Sequence, residues 1–398
     1  MGLLTSRTAP PVFLLLLLVV PLAETPPSTV LWAGPAILIS AIAIAWAAES
    51  AQFFIAQGFA LAILAWLQTL PEFAVEAVLA WHQQVQFLLA NLTGALRLLT
   101  GFGWPVIYFT AAMFQRRRGG GPLKMIRLHE HHAVEVLGLA APLLYVGVIA
   151  WKGSLTIYDG MVLILLYVAY LLALSRMPPE DPETIEDLEA IPRKIVTAPR
   201  LRRIAIISGL FFLGGLLIYV AAEPFLASLL ALAVAFGVPA FVFIQWVAPV
   251  VSEFPEMAST FYWARTVDRA PMALMNMVSS NINQWTLLTA MLPIVLSISA
   301  GAVTPIVFDQ EQRIELLLTL GQAVVGMIFL MNMQLAWYEA AVMFVFFWIP
   351  FIDSSWAKPL AILYFAWAGV EMGRMLSGRR QVLAPSRFAR IWKDHIKR

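Results

Sequence analysis

Eleven apolar stretches, each near the length that crosses a lipid bilayer, constrain the fold of this chain more than any other feature. They lie near residues 30–50, 54–81, 85–113, 133–151, 157–175, 203–223, 237–264, 270–298, 314–333, 335–352 and 357–376. Only helices or closed barrels satisfy every backbone polar group inside lipid, and no alternating barrel pattern is visible. The sequence therefore predicts an all-α integral membrane protein. The composition agrees, since 13% of the residues are charged whereas a soluble domain carries about 25%.

Basic residues are concentrated in a few of the segments between these stretches. Of the 26 Lys and Arg residues, five lie in 116–127, six in 176–203, two at Arg265 and Arg269, and eight in 374–398. With eleven crossings all of these segments fall on one side of the membrane, which the positive-inside rule makes the cytoplasm. We therefore predict a multi-pass protein of the plasma (inner) membrane with a cytoplasmic C-terminal tail.

The ends and the middle of the chain differ from the apolar stretches. Residues 1–25 combine a short basic region with an apolar run of about ten residues, which fits a secretory signal peptide or a retained signal anchor. Residues 177–202 are an acidic run followed by a basic run, typical of a solvated cytoplasmic linker. Residues 353–398 hold an extra helix and a basic cytoplasmic tail.

Two proline–glutamate segments divide the remaining stretches into a pair of repeats. The segments are AWLQTLPEFAVEAVLAW (65–81) and PVVSEFPEMASTFYWA (249–264), and each precedes an asparagine in a small-residue context by about 20 residues. Similarity at such a spacing indicates an internal repeat. Because each copy holds five crossings, the second copy enters the membrane from the opposite side. We predict two inverted five-helix repeats, 30–176 and 203–352, plus an extra C-terminal transmembrane helix.

The glutamates of these segments, Glu72 and Glu256, fall near the middle of the membrane, where a charged side chain is costly and marks a functional site. Inverted repeats place the substrate site at the midplane, between broken helices from both halves. Proline frees a backbone carbonyl, and carbonyls, carboxylates and hydroxyls are the hard oxygen ligands that suit Ca²⁺. The sequence therefore predicts a shared cation site. It shows no cysteine, P-loop, nucleophile elbow or dinucleotide motif, and we expect no enzyme.

These motifs resemble the cation/calcium exchanger superfamily, whose repeats read approximately G-T-S-L-P-E and then G-N-x-x-G-S-N. The resemblance implies that Glu72 and Glu256 are the central calcium ligands. With the residues placed around them, the candidate metal ligands are Glu72, Glu256, Glu253, Thr69, Ser252, Asn276, Ser280 and Asn281. The first repeat departs from the pattern, since Ala95 and Leu96 stand where serine and asparagine are expected.

Two functions of different classes follow. The first is a secondary antiporter that exchanges Ca²⁺, or a similar cation, for H⁺ or Na⁺ by alternating access. Its partners are inorganic cations and the lipid bilayer, not nucleic acid, and it needs no cofactor besides the transported cation. We favour the proton, because a proton needs one carboxylate whereas sodium needs a full shell of oxygen ligands. The alternative is a transport-inactive scaffold or ion sensor, in which Arg97, deep in a helix of the first repeat, neutralises the site. The sequence leaves monomer and homodimer open.

Two further groups have alternative interpretations. Glu76 lies one helical turn after Glu72 and is either part of the site or a helix-end residue that faces the outer water. The segment HEHHAVE lies at the cytoplasmic mouth of a helix, where its side chains could hold Zn²⁺ or sense protons, although we favour a solvated helix start. The residues concerned are His129, His131, His132 and Glu135.

Overall fold

The computed structural model describes residues 25–51, 54, 69–177, 188 and 190–396. The signal peptide or anchor predicted for residues 1–25 lies outside these ranges except for its last residue. The acidic residues of the linker and most of the first half of the stretch at 54–81 also lie outside them.

Helices of the first repeat follow the predicted stretches. They are α1 (Val30–Ala51), α2 (Leu70–Trp81), α3 (Val85–Arg97), α4 (Trp104–Arg117), α5 (Ala133–Gly138), α6 (Ala140–Lys152) and α7 (Ile157–Leu174). A π-helical segment, Leu98–Gly103, joins α3 to α4 into one apolar span. Two short strands, β1 (Met125–Arg127) and β2 (Ser154–Leu155), flank α5 and α6.

The second repeat has the same order of elements. After α8 (Ala190–Val196) its helices are α9 (Arg200–Phe236), α10 (Ala240–Val242), α11 (Ala248–Ser252), α12 (Phe254–Ala264), α13 (Ala270–Asn283), α14 (Thr289–Ala300), α15 (Gln310–Leu330) and α16 (Trp337–Ile352). π-Helical segments join α10 to α11 (Phe243–Val247) and α13 to α14 (Gln284–Leu288). The other strands and α-helices are β3 (Ile306–Val307), β4 (Gln334–Ala336), α17 (Ala357–Leu376) and α18 (Ala384–Ile391).

The predicted all-α membrane fold is confirmed. By length and apolarity, seven of the described helices can cross a membrane. Every one of the eleven predicted stretches contains helix within the described residues.

One predicted boundary is wrong. The stretch at 203–223 was expected to end near Glu223, but α9 continues through Pro224 to Phe236 and ends at Gly237 in the left-handed conformation. Proline removes only one backbone donor, and transmembrane helices tolerate it where neighbouring groups support the chain. α9 packs against α1, and the Ser40 hydroxyl of α1 donates to the carbonyl of Gly214, N-terminal to this proline, at 2.6 Å.

Two short antiparallel strand pairs show how the repeats are related. β1 pairs with β4, with Ile126 opposite Leu335, and β2 pairs with β3, with Leu155 opposite Ile306. β1 and β3 follow the third crossing of their repeats, and β2 and β4 follow the fourth. If each strand is replaced by its counterpart in the other repeat, the pair β1–β4 becomes the pair β3–β2. One crossing separates β1 from β2, so the two pairs lie at opposite ends of the bundle. This is the arrangement of inverted repeats related by an axis in the membrane plane.

The C-terminal tail returns to the end of the bundle that carries β1 and β4, which we call the basic face. After α16 leaves this face and α17 returns to it, the backbone N–H groups of Leu383 and Ala384 donate to the carbonyl of Met331, at 2.9 and 3.0 Å. The basic loop at 116–127 and the basic tail therefore share one face, as eleven crossings require.

A buried ion cluster fixes this return. The Arg380 guanidinium contacts Glu339 of α16 at 2.6 Å and Glu371 of α17 at 2.8 Å. It also donates to the carbonyl of Phe329 in α15 at 3.1 Å. One side chain therefore joins the last two helices of the second repeat to the extra helix.

Candidate cation site

The helix breaks in the two repeats have the same local geometry. α2 begins after Thr69 (φ −88°, ψ 0°), and α12 begins after Glu253 (φ −87°, ψ −7°). Proline follows two residues later in both, within the first turn, where its missing N–H is not needed. Glu72 and Glu256 therefore lie in the first turn of their helices, where the positive end of the helix dipole favours negative charge.

Four carboxylates are buried together at these breaks. The exposed fractions are 1% for Glu72, 0% for Glu76, 2% for Glu253 and 3% for Glu256. Glu72, Glu253 and Glu256 are close enough to repel one another electrostatically. Within the described residues no Lys or Arg forms an ion pair with any of the four. Buried carboxylates need a positive partner, so the arrangement calls for a cation or protons.

Hydrogen bonds to Glu72 connect the two repeats. The Ser252 hydroxyl, at the end of α11, donates to one oxygen of Glu72. The Asn91 amide of α3 donates to the other oxygen at 2.9 Å and to Glu76 at 3.1 Å. Glu76 therefore belongs to the site and does not face water, because α3 packs over it. Asn91 is the asparagine that follows the first proline–glutamate segment, and it was not among the predicted ligands.

Glu256 has fewer hydrogen bonds than Glu72. It lies beside Ser280 and Glu253, but neither of its carboxylate oxygens accepts a hydrogen bond of normal geometry from a described residue. Glu253, by contrast, accepts from the Gln284 amide at 2.5 Å. Buried polar groups in native proteins usually have a partner, and a bound ion is one explanation for an exception.

Two further candidate residues, Thr69 and Asn281, contact polar side chains of the opposite repeat. The Asn283 amide donates to the Thr69 hydroxyl at 2.6 Å. The Thr100 hydroxyl donates to the Asn281 side-chain oxygen at 3.2 Å. Asn276 is only partly buried, and its side-chain nitrogen has no partner within the described residues. Asn283 was missed because the family pattern ends at Asn281.

Several oxygens around the site are left for a ligand. Near the two helix breaks, the buried side-chain oxygens of described residues that have no hydrogen-bond partner include those on Glu76, Asn91, Glu256, Ser280, Asn283 and Gln284. Carboxylate, amide and hydroxyl oxygens are the ligands that Ca²⁺ takes, typically about 6–8 at a time. The donor set therefore fits a hard divalent cation.

Arg97 lies outside this site. It was considered as a partner for the buried glutamates, but its guanidinium contacts Glu315 of α15 at 2.8 Å and lies over the Trp246 ring, 5.1 Å from the centroid. The Gln245 amide donates to the same Glu315 oxygen at 2.9 Å. The Arg97 charge is therefore neutralised by a residue 218 positions away, and the pair fixes α3 to α15.

Gly94 explains how closely the repeats approach beside the site. A β-carbon at this position would contact the backbone carbonyl of Gln245, so only glycine allows α3 to cross the π-helical segment Phe243–Val247 here. Ala95 and Leu96, which follow it, are buried and apolar.

Comparisons with known proteins identify the family and the fold. The chain matches the family described as sodium/calcium exchanger protein over residues 27–176 and 206–351. The crystal structure of the H⁺/Ca²⁺ exchanger CAX superposes with a TM-score of 0.85 at 27% identity, covering 98% of this chain and 95% of that one. No curated protein matches the sequence significantly.

Two more distant structures share the fold. Native YfkE has a TM-score of 0.56 at 15% identity, covering 89% of this chain and 97% of that one. The sodium-calcium exchanger NCX_Mj has a TM-score of 0.53 at 16% identity, covering 82% and 98%.

Proposed function

Because the chain belongs to the sodium/calcium exchanger protein family, we propose that it is a secondary antiporter that exchanges Ca²⁺, or a similar cation, for H⁺ by alternating access. The observation that carries this proposal is the group of four buried carboxylates, contributed by both broken helices and without a basic partner in the described residues. The similarity to an H⁺/Ca²⁺ exchanger across 98% of the chain supports it.

Exchange follows from the electrostatics of the site. Ca²⁺ neutralises two carboxylates and takes up the unpartnered oxygens around Glu256. When Ca²⁺ leaves, Glu72, Glu253 and Glu256 would face one another as bare charges in a buried site. Protons remove that repulsion one carboxylate at a time, and two protons neutralise the same amount of carboxylate charge as one Ca²⁺. Ions are the cargo, and we assign neither an enzymatic activity nor a cofactor.

The ligand assignment remains part of this proposal. Glu72 and Glu256 act as the principal ligands, with Glu253, Thr69, Ser252, Asn276, Ser280 and Asn281 around them. Repeats 30–176 and 203–352 each contribute one broken helix to the site. The pairing of Arg97 with Glu315 removes the reason for the transport-inactive alternative, since that alternative needed the Arg97 charge in the site.

Proton coupling gives a direct test in vesicles that contain the purified protein. We expect Ca²⁺ uptake to be driven by a pH gradient in the absence of Na⁺, and to stop when a protonophore collapses that gradient. A sodium gradient alone should drive no uptake, because Ala95 and Leu96 supply no oxygen ligands in the first repeat. Uptake driven by sodium alone would overturn the proton assignment. No uptake under either gradient would favour the scaffold.

Orientation can be tested by cysteine labelling, since the chain has no native cysteine. Gly121→Cys lies on the basic face, and Ala302→Cys lies between α14 and β3 at the opposite end; both positions are exposed. Because the basic face should be cytoplasmic, a membrane-impermeant maleimide should label Ala302→Cys in intact cells. It should label Gly121→Cys only after permeabilisation. The reverse pattern would invert the proposed topology and place the C-terminal tail outside.

A further inference from the structure

Three histidines converge on the basic face, far in sequence from the glutamates of the cation site. His129, His131 and His132 lie in the loop between β1 and α5. Their ring centroids are 5.4 Å apart for His129 and His131, 5.3 Å for His129 and His132, and 4.2 Å for His131 and His132. One nitrogen from each ring lies within 4.8 Å of the others. The loop therefore presents three imidazoles to one point.

His132 gives a second, independent reason to expect a ligand. Its side chain is 2% exposed, and neither ring nitrogen has a hydrogen-bond partner within the described residues. A buried ring with two unsatisfied nitrogens is unfavourable unless something binds there.

We propose that His129, His131 and His132 bind one divalent transition-metal ion of the Zn²⁺ class, at a site separate from the transported cation. Imidazole nitrogen suits Zn²⁺, Ni²⁺ and Co²⁺, whereas Ca²⁺ and Mg²⁺ take oxygen ligands. Three protein ligands with a water molecule in the fourth position are a common zinc arrangement. The histidine site can therefore discriminate between a transition metal and the cargo.

The three histidine rings need to move only a small distance to coordinate one ion. With Zn–N distances of about 2.0–2.1 Å, tetrahedral geometry places nitrogens about 3.3 Å apart, compared with the 4.8 Å limit here. His129 is exposed, so its ring can rotate towards the buried His132. The backbone between the histidines forms turns, in which the carbonyls of Glu130 and His131 accept hydrogen bonds from the N–H groups of Ala133 and Val134.

Metal binding would strengthen the attachment of the tail. The Leu128 N–H, at the start of the loop, donates to the carbonyl of Met333 at 2.9 Å. Arg387 of α18 reaches the Leu128 carbonyl at 3.4 Å, and Arg390 contacts Glu130 at 3.5 Å. An ion held by the three rings fixes the loop on which α18 rests. The site therefore links a metal to the conformation of the tail.

The test uses the full-length purified protein carrying Glu256→Gln, so that the cation site contributes less to the measured Zn²⁺ binding. Titration with Zn²⁺ should give one tight equivalent, and X-ray absorption at the zinc edge should show about three nitrogen neighbours at about 2.0–2.1 Å. His129→Ala should weaken Zn²⁺ binding at least about tenfold, because even loss of an outer-shell partner costs about 10–100-fold. His129 is exposed, so this variant should fold.

His82→Ala is the matched control, since His82 is a partly exposed histidine paired with Glu223, remote from the cluster. It should bind Zn²⁺ like the parent protein. Zinc should also raise the melting temperature of the parent and of His82→Ala, but not that of His129→Ala. An oxygen-only coordination shell, equal affinity in the two histidine variants, or no Zn²⁺ binding would each overturn the proposal.

Discussion

Glu256→Gln should reduce Ca²⁺ flux by at least about 100-fold, which corresponds to about 3 kcal/mol of lost cation stabilisation. The substitution keeps the shape of the side chain and removes one of the charges that binds Ca²⁺ and accepts the returning proton. Because the Glu256 oxygens accept no well-formed hydrogen bond from a described residue, no protein donor is left unpaired by the change. Glu72→Gln should lower flux similarly. Radioactive Ca²⁺ uptake into vesicles under a pH gradient measures both.

Glu223→Gln provides the control for this pair. Glu223 lies in α9, is 65% exposed and pairs only with His82 among the described residues, at 3.3 Å. The same chemical change there should leave Ca²⁺ uptake within about twofold of the parent, since exposed ion pairs contribute about 0–1 kcal/mol. Near-normal uptake by Glu256→Gln, with equal amounts of folded protein in the vesicles, would exclude Glu256 as a ligand.

Arg380→Ala should destabilise the fold by about 3–5 kcal/mol, because it leaves the buried Glu339 and Glu371 carboxylates without their cation. Glu339 is completely buried, so water cannot replace the guanidinium without entering the helix packing. At about 2 °C per kcal/mol, the apparent melting temperature in detergent should fall by about 6 °C or more. A thermal scan of the purified protein measures the change.

Arg374→Ala is the comparison for this variant, because Arg374 contacts the same Glu371 at 2.7 Å but is half exposed. Its loss should cost at most about 1 kcal/mol. Equal melting temperatures for the two arginine variants would mean that the buried cluster contributes nothing to stability.

The helices and the two glutamates could be predicted from the sequence because the bilayer leaves few alternatives. A stretch such as 270–298 must be helical in lipid, and a carboxylate such as Glu72 must have a use there. The continuation of α9 through Pro224 was not predictable, because proline ends many helices but is tolerated inside transmembrane helices.

The partners of polar side chains were predicted less well than their positions. Arg97 was visible as a buried charge, but nothing near it in sequence indicates Glu315. Asn283 and Thr69 come from different repeats, so their hydrogen bond depends on how the repeats are superposed. The family pattern supplied Glu256 and Ser280, which match it, and could not supply Asn283, which lies beyond it.

The two strand pairs determine which crossings of one repeat are linked to the other. Each pair joins one repeat to the other, one pair at each end of the bundle, and together they connect the crossings that flank β1, β2, β3 and β4. α1 and α9 carry no strand and are packed against each other. The strand pairs therefore link the later crossings of each repeat across the bundle, whereas α1 and α9 are held beside them by helix packing.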